Sequence, residues 1–352
     1  MCTLIAGLIL KVHAYTITRC LPHPACRAGK QDGERGDQVT ATRAFLGMSH
    51  TPLFGLNPVA GEVQAALDAA IARTRELVQA FDPELVVLAG PDHYNGFFNE
   101  LMPPFCLGSA ARSVGDYLTP AGELNVDERA ALSLAGHLMD EGFDIALSRR
   151  MQVDHGFVQA LQFMWGGLDT PPVIPLFLNA VAQPGIPRLG RCLKLGEAIG
   201  RFLDGLPRRT LLIGSGGLSH EPPVPTLDHP DEAVRERIMV RQHPTAAERD
   251  AKTARVMAAG MALASGASGM KPLNPAWDAG WMDALASGDL WSLMQLDEAA
   301  IERDAGLSAH ESKTWLVARA ALPARELPCK LRHYQAIPEL IAGYGILFMQ
   351  DE

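Results

Sequence analysis

From residue 41 onward, short and almost wholly apolar runs alternate with longer stretches in which apolar residues recur every three or four positions. The short runs read as strands covered on both faces, and the periodic stretches as helices lying against them. TRAFLGM (42–48), the run 84–89, FDIALS (143–148), PPVIPLFLNA (171–180), RTLLIGSGG (209–217) and YGILFM (344–349) are of the first kind. The prolines of 171–180 suit an edge strand or a strand start. Asn57-Pro58 predicts a helix start, with Asn as cap and Pro in the first turn. Val59, Val63, Ala66, Leu67, Ala70, Ile71, Leu77 and Val78 then mark one apolar face. Further helices are expected over 126–141, 187–204, 246–265, 276–286 and 309–322.

This alternation predicts an α/β fold, a layered mixed sheet flanked by helices with a site at strand ends. Residues 41–352 read as a single catalytic domain, because neither a repeat nor a second linker divides them. Strand order is not legible. Residues 1–40 break the pattern. CTLIAGLIL looks like the apolar part of a signal peptide, but no basic residue precedes it and no small-x-small cleavage site follows clearly. RAGKQDGERGDQ (27–38) reads as a solvated linker. The expectation for 1–40 is a poorly ordered extension.

Composition narrows the function. The 352 residues carry a net charge of −9, and the basic residues of the first forty leave the body more acidic still. An acidic body argues against a nucleic-acid partner, which needs a basic face. No apolar run approaches the ~20 residues of a membrane span. The six cysteines show no CxxC and no regular spacing, consistent with reduced thiols and a cytoplasmic protein.

Eleven histidines are present, and four occupy similar places just beyond a run read as a strand. His50 follows RAFLGM, His93 follows ELVVLAG, His155 stands in MQVDHGF and His220 ends LLIGSGGLSH. A lone loop histidine is usually a satisfied polar residue. Four at strand ends could converge on one site. His13, His137, His229, His243 and His333 sit in less telling surroundings, and His23 in CLPHP is a decoy of MSHTP.

Other signals are weak. Ser308 and Glu311 fit an S-x-x-E capping box ahead of Trp315-Leu316-Val317, so Glu311 reads first as a helix cap. Neither His310-Glu311 nor His220-Glu221 makes HExxH. Glycines 214, 216 and 217 fail GxGxxG at Ser219, and Ser215 fails GxSxG at Ile213. These glycines read as letting backbone pass close to something beside His220. Arg149 and Arg150 read as a solvated pair. Asp92 is a candidate to orient an imidazole, Tyr94 and Asn95 to touch substrate or hold the loop, and Phe97 and Phe98 to pack.

Taken in order, MSHTPL, PDHYNGFF, MPPFCLG, MQVDHGF, IGSGGLSH and HESKTW resemble the class III extradiol ring-cleavage dioxygenases from about residue 43 to about 347. The resemblance implies iron(II) held by His50, His93 and Glu311. This is a 2-His-1-carboxylate set that leaves positions open for a catechol and dioxygen. It implies His220 as proton acceptor and His155 as proton donor, tasks suited to imidazole with its unperturbed pKa of ~6.5. It makes Glu311 a ligand rather than a cap. It further implies ring opening of a 2,3-dihydroxyphenylalkanoate in aromatic catabolism, by a homo-oligomer with no nucleic-acid or membrane partner. A different catechol, a metal-dependent hydrolase on the same scaffold, or a non-catalytic binding protein are the competing readings.

Overall fold

The computed structural model describes residues 42–351; the extension expected over 1–40 lies outside the described residues, as do His13, His23 and Cys2, Cys20 and Cys26. Along the chain come β1 (Arg43–Met48), α1 (Gly61–Phe81), β2 (Leu85–Gly90), β3 (Phe105–Gly108), β4 (Ala111–Ser113) and β5 (Gly122–Glu123). Next are α2 (Glu128–Asp140), β6 (Ala146–Ser148), β7 (Met151–Val153), α3 (His155–Trp165), β8 (Val173–Leu178), α4 (Leu189–Asp204) and β9 (Thr210–Ser215). The last third holds α5 (Glu232–Met239), α6 (Ala246–Ala264), α7 (Pro275–Ser287), α8 (Leu290–Leu293) and α9 (Glu298–Ala305). A 3-10 helix (Leu307–Ser312) then runs into α10 (Lys313–Ala320), followed by β10 (Cys329–Ile337) and β11 (Ala342–Gln350).

The main sheet has the order β10-β11-β1-β9-β2-β8-β3-β6. Its centre, β1, β9, β2 and β8, is parallel. Antiparallel β11 flanks it on one side and antiparallel β3 on the other. A small sheet, β5-β4-β7, stands apart. The unbroken apolar runs follow from burial on both faces. In β2, Leu85, Val87 and Ala89 belong to the core on the side of α2, α4, α7 and α10, while Val86 and Leu88 belong to the core on the side of α1 and α3. The expected mixed, layered α/β architecture is therefore the fold.

Local expectations needed correcting. Helix α1 begins at Gly61 with Ala60 in the cap position and no side-chain cap. Asn57 is drawn away, because its amide donates instead to the carbonyls of Met257 (3.0 Å) and Glu339 (2.7 Å). Strand β8 is interior, not an edge. Pro172 O accepts from Val86 N–H, so alternation turns the Pro175 nitrogen toward β3, one residue beyond the last β3 pair, Leu107–Leu176. No donor is needed there. Of 143–148 only Ala146–Ser148 is strand. Cys106, Cys192 and Cys329 are free thiols. Among the described residues no helix is long and apolar enough to cross a membrane.

Candidate active site at the carboxyl ends of the parallel strands

Three neighbouring parallel strands deliver three of the four histidines. His50 lies two residues past β1, His93 three past β2 and His220 five past β9. His155 arrives by another route, as the first residue of α3 after the small sheet. Glu311 comes from the 3-10 helix ahead of α10.

Each strand end is shaped by its own residues. Beyond β2, Asp92 accepts from the backbone N–H groups of Asn95 (3.0 Å), Gly96 (2.8 Å) and Phe97 (3.0 Å) and folds the loop around itself. The sequence suggested that it orients an imidazole; its hydrogen bonds go to these backbone groups instead. Burial, then neighbouring Asp154, pushes its carboxyl up to about 7. Asn95 holds the loop, donating to Asp154 Oδ2 at 2.8 Å. Phe97 stacks on Phe177 at 3.7 Å, which is packing.

Beyond β9 the glycines make room. A Cβ on Gly214 would meet Trp315 Cα at 2.5 Å, on Gly216 Glu311 O at 2.3 Å, and on Gly217 the His220 ring at 2.4 Å. They let the Glu311 segment dock onto the strand end. Trp315 Nε1 donates to Gly216 O and Thr314 Oγ1 to Ser215 O, both at 2.9 Å, and lock that docking. Ser308 makes no side-chain cap, so the capping box does not form.

The side chains converge on Glu311. Its Oε2 stands 3.3 Å from His50 Nε2, and its Oε1 3.1 Å from His93 Nε2 and 3.3 Å from His220 Nε2. Gly217 N–H donates to Oε2 at 2.9 Å. The opposite nitrogen of each ring is held: His50 Nδ1 by Ser215 Oγ (3.1 Å), His93 Nδ1 by Asp154 Oδ2 (3.0 Å), His220 Nδ1 by Leu218 O (2.9 Å) and His155 Nδ1 by Asp116 Oδ2 (2.7 Å). His155 stacks on His93 at 4.5 Å.

Electrostatics follow from burial and these contacts. Burial pulls His50 down to about 3 against the pull of Glu311. Burial also opposes charge on His93 and His220, but Asp154 and Glu311 raise the first well above the ordinary range, and Glu311 raises the second. Burial would lift Glu311, yet His220 and His50 hold it well below the usual carboxylate range. His50 Nε2 and His155 Nε2 are buried with no hydrogen-bond partner. A neutral imidazole with a buried, unused lone pair beside an ionised carboxylate is what a divalent metal requires. Ligand atoms of His50, His93 and His155 also lie within 4.8 Å of one another.

Asp154 and Asp116 went unnoticed in the sequence, and Ser215 was weighed there only as a nucleophile, not as the partner of His50. Asp154 had a signal: it precedes His155 and caps α3, accepting Gly156 N–H at 2.9 Å. Asp116 had none. Three of the other candidates have partners outside the site: His137 Nε2 bonds Ala198 O, His310 Nε2 bonds Glu302, and Arg149 pairs with Glu128.

Residues 44–345 match the family described as the catalytic LigB subunit of aromatic ring-opening dioxygenase. The chain is 70% identical over 313 residues to a 2,3-dihydroxyphenylpropionate/2,3-dihydroxicinnamic acid 1,2-dioxygenase of Comamonas testosteroni, covering 88% of this chain and 98% of that one. Proteins of the same description from a Rhodococcus species and from Burkholderia vietnamiensis are 48% and 47% identical, each covering 86% of this chain and 96% of the relative. With its mixed sheet and its histidines gathered at the strand ends, the chain belongs to the LigB family of aromatic ring-opening dioxygenases and is an extradiol catechol dioxygenase.

Proposed function

We propose that this enzyme cleaves 2,3-dihydroxyphenylpropionate and 2,3-dihydroxycinnamate with dioxygen, giving a ring-opened hydroxy-oxo-dienedioate in aromatic catabolism. The 70% identity to the Comamonas relative supports the substrate. The single carboxylate of Glu311, within 3.3 Å of three imidazoles, supports the site. His50, His93 and Glu311 would hold iron(II). When bound, iron(II) supplies the one-electron chemistry that lets triplet dioxygen react with a singlet catechol.

The protein's own groups bind, orient and move protons. His220 donates Nδ1–H to Leu218 O, which leaves Nε2 as a lone pair to take a catechol proton on binding. His155, with Nδ1–H on Asp116, presents Nε2, and as an imidazolium it gives the Nε2 proton to oxygen as the ring opens and is left as the neutral ring. The near-complete burial of His50, His155 and Glu311 keeps bulk water from the reacting groups. Residues 41–352 act as the single catalytic domain of a cytoplasmic homo-oligomer.

A second ligand set, His50, His93 and His155, is favoured by the 4.8 Å grouping of their ligand atoms. The first set is preferred because it gives the metal an anionic ligand that touches both imidazoles. The test is anaerobic loading with iron(II), followed by air and a panel of catechols. Oxygen uptake with a yellow product is expected, fastest with the three-carbon acids. Equal rates on catechol itself would remove the proposed substrate, and full activity with zinc in place of iron would remove the proposed metal.

A further inference from the structure

We propose that Asp116 is a positioning residue of the ring-cleavage reaction, its carboxylate fixing both the ring plane and the tautomer of His155 so that Nε2 is the nitrogen offered to the substrate. The proposal rests on the reading of His155 as proton donor.

Asp116 grips His155 at two points. Its Oδ1 accepts the backbone N–H at 2.8 Å, and its Oδ2 faces ring Nδ1 at 2.7 Å. A carboxylate only accepts, so Nδ1 must carry the proton. Nε2 is then the nitrogen that gains and gives the catalytic proton, a lone pair in the neutral ring and an N–H donor in the imidazolium. That nitrogen is buried and without a hydrogen-bond partner, on a ring that stacks on His93 and meets His50 edge-on at 5.5 Å. The only task left for Nε2 is therefore toward the group of histidines, where substrate must lie.

The loop carrying Asp116 is built at a cost. Tyr117 (φ 42°) and Leu118 (φ 64°) occupy the left-handed region, which penalises side chains, and Gly115 (φ 73°) precedes them. Thr119 Oγ1 donates to Asp116 O at 2.6 Å and pins the turn. The Tyr117 ring meets the His155 ring edge-on at 5.0 Å, closing the side next to the carboxylate. The turn joins β4 to β5, and β4 pairs with β7, the strand that leads into Asp154 and His155. The small sheet thus ties the Asp116 loop to the start of α3 independently of the main sheet. Strain retained beside a reacting group, with the carboxylate placed on one ring nitrogen, fits an outer partner that sets tautomer and orientation.

The test uses the full chain loaded with iron. Asp116→Asn keeps the shape but sets an amide N–H or a weaker acceptor against Nδ1. It is expected to lower kcat about 10–100-fold with unchanged iron content. KM should stay within about threefold, because substrate contacts are untouched. In a His155→Gln background the same change should add nothing, since the partner it acts through is gone. Wild-type kcat in Asp116→Asn, while His155→Gln is impaired, overturns the proposal. Wild-type kcat in His155→Gln overturns the proton-donor reading and the catalytic role of Asp116 with it. A readout independent of activity and of the variant's folding is the 15N spectrum of histidine-labelled, metal-free wild-type protein. A proton on His155 Nδ1 is expected; an unprotonated Nδ1 overturns the assignment.

Discussion

His93 Nε2 and His220 Nε2 stand against the same oxygen of one carboxylate, Glu311 Oε1, at 3.1 and 3.3 Å. One is proposed to share a metal with Glu311 and the other to move a proton beside it. Glu311→Ala should therefore lose iron and turnover together, with affinity falling by more than the roughly 10–100-fold typical of losing an outer partner. His220→Ala should retain iron and lose roughly 10²–10⁴ in kcat, the usual contribution of a general base. Metal analysis beside steady-state kinetics separates the two.

His155 decides between the ligand sets. His155→Ala is expected to bind iron in the same stoichiometry as the wild type while turnover collapses. Loss of iron in that variant would make His155 a ligand and Glu311 the outlier.

Asp154 supports the site from behind. It receives His93 N–H, His93 Nδ1 and the Asn95 amide on one oxygen and Gly156 N–H on the other. Asp154→Ala should weaken iron binding about 10–100-fold by freeing the His93 ring. Competition against a chelator of known affinity measures it.

Gly216 tests the docking of the Glu311 segment. An added Cβ would sit 2.3 Å from Glu311 O, so backbone must move. Gly216→Ala should cost roughly 1–3 kcal/mol in stability through overpacking and displace Glu311. Thermal unfolding and iron content are both expected to fall.

Asp127 gives a pH signature remote from the site. It caps α2 through Ala130 N–H (2.9 Å) and pairs with Arg208 (2.7 Å). Burial would raise its carboxyl, but Arg208 and the cap hold it below its ordinary value of 3.8. A depressed carboxyl stabilises the fold above its unfolded pKa and loses that contribution as pH falls through the folded value. Asp127→Ala should cost about 1 kcal/mol at neutral pH. The gap to wild type should narrow below about pH 4, read by denaturant unfolding at both pH values.

Much of this protein is local and therefore legible along the chain. Unbroken apolar runs such as Leu85–Gly90 could only be strands covered on both faces, and that burial forces side chains to alternate between two cores. The histidines at their ends followed, because strand ends are where a parallel sheet exposes its chain. Short elements with few apolar residues, such as β4, β5 and β7, carried no periodicity to read.

What tertiary structure alone decided is partnership across distance. Asn57 left the helix cap for carbonyls 200 and 282 residues away, which no local pattern announces. Glu311 sits in a capping-box sequence, yet glycines 214, 216 and 217 let its segment close on the strand end, where three imidazoles and the Gly217 N–H, rather than an amide of its own helix start, meet its carboxylate. Asp116 and His155 are 39 residues apart and meet only because a small sheet folds one turn over another. The sequence by itself determined which residue types could do chemistry and on which strands they end. Their pairing into ligand, base and oriented imidazole came from packing, because a hydrogen bond has direction and reach while a sequence has only order.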